Sequence, residues 1–378
     1  MYMKKFAGIT WWKGNYGSIL QAYALGKTID KMGIVDFEFL QQFKKNALTI
    51  SSLFSYINHN GLSSAIQHVK YKYGNRKLRE RVRKCNNFID EYIKISNKVY
   101  NTDDAMSIEA DYDGFVCGSD QIWNPAFSNC TSIYWLNFSN SKEKVAYAPS
   151  IGITTASPET KNDIRNALNS FKAISCREST GSSFLNSVLG ENRCVTVLDP
   201  TLLLDRNEWD MLLHDNSIKE KYVFSYVLRG TDQQRLLIKR FAERNNLKLV
   251  TIPLLEAEYH SKIDCKYADY NIIDASPIDF IALIKGAEYV FTDSFHCMIF
   301  SCIYHRPFFS LYKTGKNQML RIEDFQEWLC IGNRVVENYE DIENMQKMDM
   351  SNAWELFDFR IKEERKKSVS YLYEALKN

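Results

Sequence analysis

The feature that most restricts this chain is an alternation. Short apolar runs are followed by polar or glycine-containing turns, and then by stretches whose apolar residues recur with a helical period. Lys4–Thr10 reads as a strand, residues 11–16 (WWKGNY) as a loop, and Gly17–Lys31 as a helix with Ile19, Leu20, Tyr23, Ala24 and Ile29 on its core side. Val35–Leu40 reads as the next strand, and residues 42–110 are less regular and mostly helical in pattern. Strands are expected near 112–118 and 144–151, a helix near 158–170, and strands at Ala173–Cys176 and Cys194–Leu198.

The second half repeats the scheme more clearly. YVFSYVL (222–228) is a buried-type strand, and TDQQ (231–234) is a capping box that opens a helix running to about Asn245. Leu247–Ile252, Tyr289–Phe291 and Pro307–Leu311 read as strands, and 276–286 and 294–304 as helices. Strands joined through helices pair in parallel. The expected fold class is therefore α/β, with two doubly wound domains. They are expected over 1–210 and 211–345, with 346–378 as a helix (Ser351–Leu376) that crosses back onto the first.

With 378 residues, two domains of roughly 100–200 residues are natural. The net charge of +2 offers no argument for nucleic acid. Nine scattered cysteines without a CxxC pair suggest a reduced, cytoplasmic chain. The apolar stretch in MYMKKFAGITWWKGN is too short for a secretory leader, and no run approaches the ~20 residues of a membrane span.

Ligands of parallel α/β sheets bind beyond the carboxyl ends of the strands. Four loops at such ends carry unusual residues. In WWKGNYGS, Asn15, Tyr16 and Gly17 precede a helix whose amino end favours anions; the plainer reading is a connector with two packed indoles. GFVCGSDQIWNP (114–125) gathers Ser119, Asp120, Gln121, Trp123 and Asn124 behind a strand; a cap and a core indole would explain single members, not the group. Arg229, in YVLRGTDQQ, stands between a strand end and a helix, a seat for phosphate or carboxylate. In VFTDSFHCMIF, Asp293 or Ser294 caps a helix with His296 in its first turn, where the helix dipole disfavours imidazolium until an anion binds. Arg177, followed by Glu178, is a fifth candidate that a buried ion pair would explain equally well.

Three signals are set aside. DYD (111–113) resembles a metal-binding motif but lies before its strand, on the wrong edge. His296, Cys297, Cys302 and His305 cannot converge on a metal from one helix, so no metal is expected. Lys70–Lys84 holds eight basic residues, which suits a solvated helix face and, as a minority option, a peripheral contact with the inner face of a membrane.

Taken together, NYGSILQAYAL (15–25), GSDQIWNP (118–125), CRE (176–178), VLDPTLLL (197–204), TDSFHCMIF (292–300) and GKNQMLRIEDF (315–325) resemble the polysaccharide pyruvyl transferase family in order and spacing. The resemblance implies a GT-B-like fold, two Rossmann-like domains facing across a cleft, with the acceptor on the first and the donor on the second. It implies phosphoenolpyruvate as co-substrate and no cofactor. The acceptor would be a sugar carrying two hydroxyls, nucleotide-linked, lipid-linked or polymeric, in cell-surface polysaccharide synthesis. The family's histidine falls on His296, its loop residues on 118–121, Asp293 and Ser294, and its arginine on Arg229. Cys297 stands where the motif usually has glycine, a departure expected to narrow the pocket.

Making a cyclic ketal from an enol phosphate needs an acid at donor C3, cations for carboxylate and phosphate, and a base for a sugar hydroxyl. His296 suits the acid, Arg229 the donor anchor, and Asp120 or Asp293 the base. Two other functions remain open at this point. One is a nucleotide-sugar glycosyltransferase of the same architecture; the other is a non-catalytic sugar-binding member of the family.

Overall fold

The computed structural model describes residues 3–42, 76–100, 105–127, 132–139, 142–215, 218–254, 258–312 and 316–377. Two parallel sheets organise it, one per half. In the first half β1 (Lys5–Ile9), β2 (Asp36–Gln41), β3 (Ile95–Val99), β4 (Gly114–Cys117) and β5 (Glu143–Ala146) pair in the order β3-β2-β1-β4-β5. A parallel bridge from Val145 to Ala173 carries the sheet into a further parallel pair, β6 (Ile174–Cys176) and β7 (Cys194–Thr196). In the second half β8 (Tyr222–Tyr226), β9 (Lys248–Thr251), β10 (Tyr270–Asn271), β11 (Tyr289–Thr292), β12 (Phe308–Leu311) and β13 (Val335–Val336) pair as β10-β9-β8-β11-β12-β13.

In both sheets the strand order reverses beside the first strand, between β1 and β4 and between β8 and β11. Crevices form at such switch points because successive crossovers leave in opposite directions. The central strands β4, β8 and β12 are buried at every position, so they read as unbroken apolar runs without alternation.

The helices are α1 (Tyr16–Met32), α2 (Arg76–Tyr92), α3 (Ala105–Asp111), α4 (Pro158–Leu168), α5 (Ser179–Leu189), α6 (Arg206–Asp210), α7 (Asp232–Arg244), α8 (Glu258–Tyr267), α9 (Pro277–Gly286), α10 (Phe295–Ile303), α11 (Lys316–Trp328), α12 (Tyr339–Gln346) and α13 (Ser351–Leu376). The capping box at Thr231 and Gln234 forms with both of its hydrogen bonds. Several strands stop short of their apolar runs: the expected 144–151 and 222–228 end at Ala146 and Tyr226. The excess apolar residues lie in buried loops beyond the ladder, where Tyr147, Ala148 and Val227 stay below a tenth exposed. Edge strand β3, with three of its five residues exposed, carries no apolar signal and sits inside the stretch read as helical. Part of that stretch, 43–75, lies outside the described residues.

Helix α13 starts against the second domain, where Trp354 stacks on His305 with ring centroids 5.2 Å apart. It then runs over the first domain: Arg365 Nε donates to Leu202 O at 2.7 Å, and Tyr371 Oη donates to Ala146 O at 3.0 Å. The two domains also meet at Tyr16, whose ring stacks on Phe280 (5.0 Å) and whose hydroxyl donates to Ala275 O at 2.8 Å. Among the described residues no helix is long and apolar enough to cross a membrane.

Candidate functional site

The site grows from the loops after β1 and β4. Asn15 caps α1, its side chain accepting from the Ser18 amide at 2.9 Å. That turn presents Ser18 Oγ, which donates to Asp120 Oδ2 at 2.6 Å, while the Gln121 amide donates to Oδ1 at 2.8 Å. Gly118 (φ 119°) permits the close approach this loop needs: a Cβ there would lie 2.0 Å from Tyr147 O. The rest of the loop is core. Trp123 is buried, stacks on Trp135 at 4.7 Å and donates to Tyr134 O.

The second domain supplies the facing wall from the loops after β8 and β11. Asp293 is fully buried, and its two carboxylate oxygens accept from the Leu228 and Arg229 amides at 2.6 and 2.7 Å. Ser294 caps α10, accepting from the Cys297 amide. The first turn of α10 then places His296 against α1. A Cβ on Gly17 would stand 2.1 Å from His296 Nδ1, so only glycine lets the two helix starts meet this closely.

At the centre is Asp199, 2 % exposed, in the loop after β7. Oδ2 accepts from Arg177 Nη1 at 2.7 Å and from Ser119 Oγ at 3.4 Å, and it faces His296 Nε2 at 3.5 Å. Oδ1 accepts from the Thr201 amide and hydroxyl at 3.0 and 2.6 Å. Burial alone would raise this carboxyl; His296, Arg177 and Thr201 outweigh it and hold it far below the usual carboxylate range.

Two buried guanidiniums flank the ring of Phe295, Arg177 at 4.4 Å and Arg321 of α11 at 5.7 Å. With its amide oxygen turned toward Arg321, Gln121 accepts from Nη1 and Nη2 at 3.3 and 3.2 Å. Burial pushes Arg321 down to about 10, and the like charge of Arg177 adds to the effect. Arg177 moves the other way: burial would lower it, but Asp199, Glu178 and Asp120 raise it. Arg177 Nε and Nη2, Arg321 Nε and His296 Nε2 are buried without a hydrogen-bond partner. Beside them is a cavity of about 10 Å³, room for one water, lined also by Glu178, Asp199 and Asp324. Several cationic or polar N–H groups thus converge with unused hydrogen-bonding capacity, the arrangement expected of an anion seat.

The structure brings together Gly17, Ser119, Asp120, Gln121, Arg177 and His296, and it adds Ser18, Asp199 and Arg321. The last two lie in quoted motifs, VLDPTLLL and GKNQMLRIEDF, without having been singled out. Asp199 had a usable signal, since it ends a strand of a parallel sheet. Arg321 had none, being one arginine in the middle of a helix.

Other candidates stand differently. Arg229 is exposed; its backbone amide, not its guanidinium, ties it to the site. Tyr16 and Asn15 serve the domain contact and the α1 cap. Cys297 is buried in the core cluster, so its side chain does not narrow the site as expected. Arg177 is ion-paired with Asp199 and not with its neighbour Glu178, which accepts from Ser150 Oγ and Cys176 Sγ. Asp111 and Asp113 serve Tyr100 and the Lys5 amide at the opposite edge of the sheet. His305 bonds Asp358 of α13 at 2.9 Å. Of the basic run, 70–75 lies outside the described residues; Arg81 is buried and donates to Pro253 O and Ile273 O across the domain contact.

Comparison with known proteins follows the same lines. The chain is similar in fold to MnaA of S. aureus solved with UDP (TM-score 0.56, 13% identity, covering 94% of this chain and 91% of that one). It is also similar to the UDP-GlcNAc 2-epimerase of Neisseria meningitidis bound to UDP-GlcNAc (0.51, 12%, 99% and 100%). The wall teichoic acid polymerase TagF is a third (0.52, 12%, 98% and 87%). At these identities the likeness speaks for the fold, two Rossmann-like domains in the GT-B arrangement, and for nothing finer. No curated protein matches the chain. The polysaccharide pyruvyl transferase family matches residues 15–312, which is most of the chain. The chain belongs to the polysaccharide pyruvyl transferase family.

Proposed function

We propose that this protein transfers pyruvate from phosphoenolpyruvate to two hydroxyls of one sugar, forming a cyclic ketal. The observation that carries the reading is the group of buried, unpartnered N–H donors on Arg177, Arg321 and His296, one carboxylate away from the Ser18–Asp120 pair. Phosphoenolpyruvate carries a carboxylate and a phosphate on one small carbon frame. Two planar guanidinium forks fit two such anionic groups.

In this reading His296 protonates C3 of the donor from Nε2, and C2 takes on oxocarbenium character. Asp199 holds the imidazole and Arg177 in place. One sugar hydroxyl attacks C2, and its proton passes to Asp120, replacing overall the one given to C3. The C2–O bond to phosphate breaks, the second hydroxyl closes the ring at C2, and its proton leaves with phosphate. Donor plus diol becomes ketal plus inorganic phosphate, with no redox change and no cofactor. Asp293, whose oxygens both hold backbone amides, positions the 228–229 loop in this scheme and is not the base. Arg229 serves as a rim contact for the incoming donor, and Arg177 and Arg321 as its anchors.

The test is to incubate the protein with phosphoenolpyruvate and a panel of nucleotide-linked and lipid-linked sugars. Phosphate release should depend on the acceptor and match a sugar product heavier by one pyruvyl unit less water. Phosphate release without a ketal, or no donor binding at all, would remove the proposal.

A further inference from the structure

Helix α5 begins without its own cap: Glu178 stands at the N-cap position and makes no capping hydrogen bond. The cap comes from the other domain. Asp324 of α11 accepts from the Ser179 amide at 3.0 Å (Oδ2), and from the Thr180 amide at 3.1 Å and Ser179 Oγ at 2.5 Å (Oδ1). A carboxylate at an exposed helix start is favoured by the free amides and by the dipole. Here that interaction spans 145 residues and joins the two domains.

The position of this contact in the sequence matters. Arg177 lies two residues before Ser179, and Arg321 lies one helical turn before Asp324. The two arginines flank one ring and repel each other, as the lowering of Arg321 by Arg177 shows. Nothing in α11 itself obliges Arg321 to stay beside a like charge in a buried site. The Phe325 ring meets Phe295 at 5.6 Å, and Gln326 bonds Ser310 Oγ at 3.1 Å; these bind α11 to its own domain, not to Arg177.

We propose that Asp324 is the positioning residue of the site: by capping α5 from the opposite domain it fixes Arg321 beside Arg177. The contact sets the spacing of the two guanidiniums against their mutual repulsion. Its consequence for donor binding rests on the phosphoenolpyruvate reading above; its structural content does not.

The experiment separates the two. The full chain and its Asp324→Ala variant are treated with phenylglyoxal, and arginine modification is mapped by mass spectrometry. Arg235 and Arg334, both buried in the second domain, serve as internal controls. The expected result is at least a tenfold faster modification of Arg321, with Arg235 and Arg334 unchanged. The Michaelis constant for phosphoenolpyruvate should then rise tenfold or more while that for the sugar stays the same. Asp324→Asn keeps the shape and one accepting oxygen, and it should show both effects at intermediate size. It also serves as the test if Asp324→Ala does not accumulate as folded protein. Arg321 protected as in the parent would overturn the proposal. So would a common rise of all buried arginines, since the aspartate would then only support the fold. If the parent itself ignores phosphoenolpyruvate, the functional reading fails, and the labelling still decides the role of Asp324.

Discussion

Replacing Asp199 by asparagine keeps the shape of the side chain and removes its charge, and the structure says why that exchange cannot be absorbed. Oδ2 faces donors on Arg177, Ser119 and His296; Oδ1 faces the amide and hydroxyl of Thr201. Whichever way the carboxamide is turned, its NH₂ meets an N–H that cannot become an acceptor, Arg177 Nη1 on one side or the Thr201 amide on the other. Arg177, with its side chain 2 % exposed, loses its only direct ion-pair partner. Breaking a buried pair by removing one member typically costs about 3–5 kcal/mol. For a unit of the first domain's size each kcal/mol lowers the melting temperature by about 2–4 °C, so a fall of at least about 6 °C is expected near pH 7. The pH dependence has a definite sign. The Asp199 carboxyl is depressed in the folded state. Its stabilisation is therefore present above the unfolded value of about 3.9 and is lost as pH falls through that value toward the folded one. Asparagine does not titrate. The gap between parent and variant should stay level from about pH 5 to 8 and narrow below about pH 4. Thermal melts across that range check it. A shift under about 1 °C, or a gap that widens in acid, would refute the electrostatic account.

Other outcomes follow from the same geometry. His296→Asn should leave a folded protein with near-parental phosphoenolpyruvate binding by calorimetry and turnover reduced by ~10²-fold or more; a loss confined to affinity would make His296 an anion anchor. Gly17→Ala puts a Cβ 2.1 Å from a ring nitrogen, and the repacking cost of about 1–3 kcal/mol exceeds the helix gain of about 1 kcal/mol or less. Melting should therefore show a small loss, and turnover a fall of at least about tenfold, because His296 is displaced. Arg321→Lys transfers a downward shift of about 2.5 units, from 12.5 to about 10, onto a side chain that starts at about 10.4. The lysine should lose its charge as pH rises through about 8, so the donor's Michaelis constant should climb from pH 7 to 9 in the variant and stay level in the parent.

How far the sequence foretold this site depends on how local each signal is. A strand end in a parallel sheet is local: the apolar run stops, a glycine or a cap follows, and position beyond the carboxyl edge comes with it. That is why 118–121 and 293–296 could be picked out. Which side chain in such a loop faces the ligand is not local. Asp120 and Asp293 look alike in sequence, each an acid after a strand. One shares its oxygens with a serine hydroxyl and a neighbouring amide at the site; the other binds two amides of the adjoining loop and is fully buried. Only the neighbouring strand, β8, decides the difference, and it lies over sixty residues away in the chain.

Arginine shows the same limit from the other side. Arg229 had the local signal, a strand end before a helix, yet its side chain is exposed; Arg321 had no signal, yet it is buried beside Arg177. Burial of a guanidinium is decided by what packs on it, and here that is a phenylalanine of one helix, an amide from the other domain and an aspartate that caps α5. A charge is tolerated in such a place only when several distant elements agree to receive it. A site at a two-domain junction therefore shows its loops in the sequence before it shows its charges. The first follow from where strands end, the second from how two sheets with reversed strand orders are brought face to face.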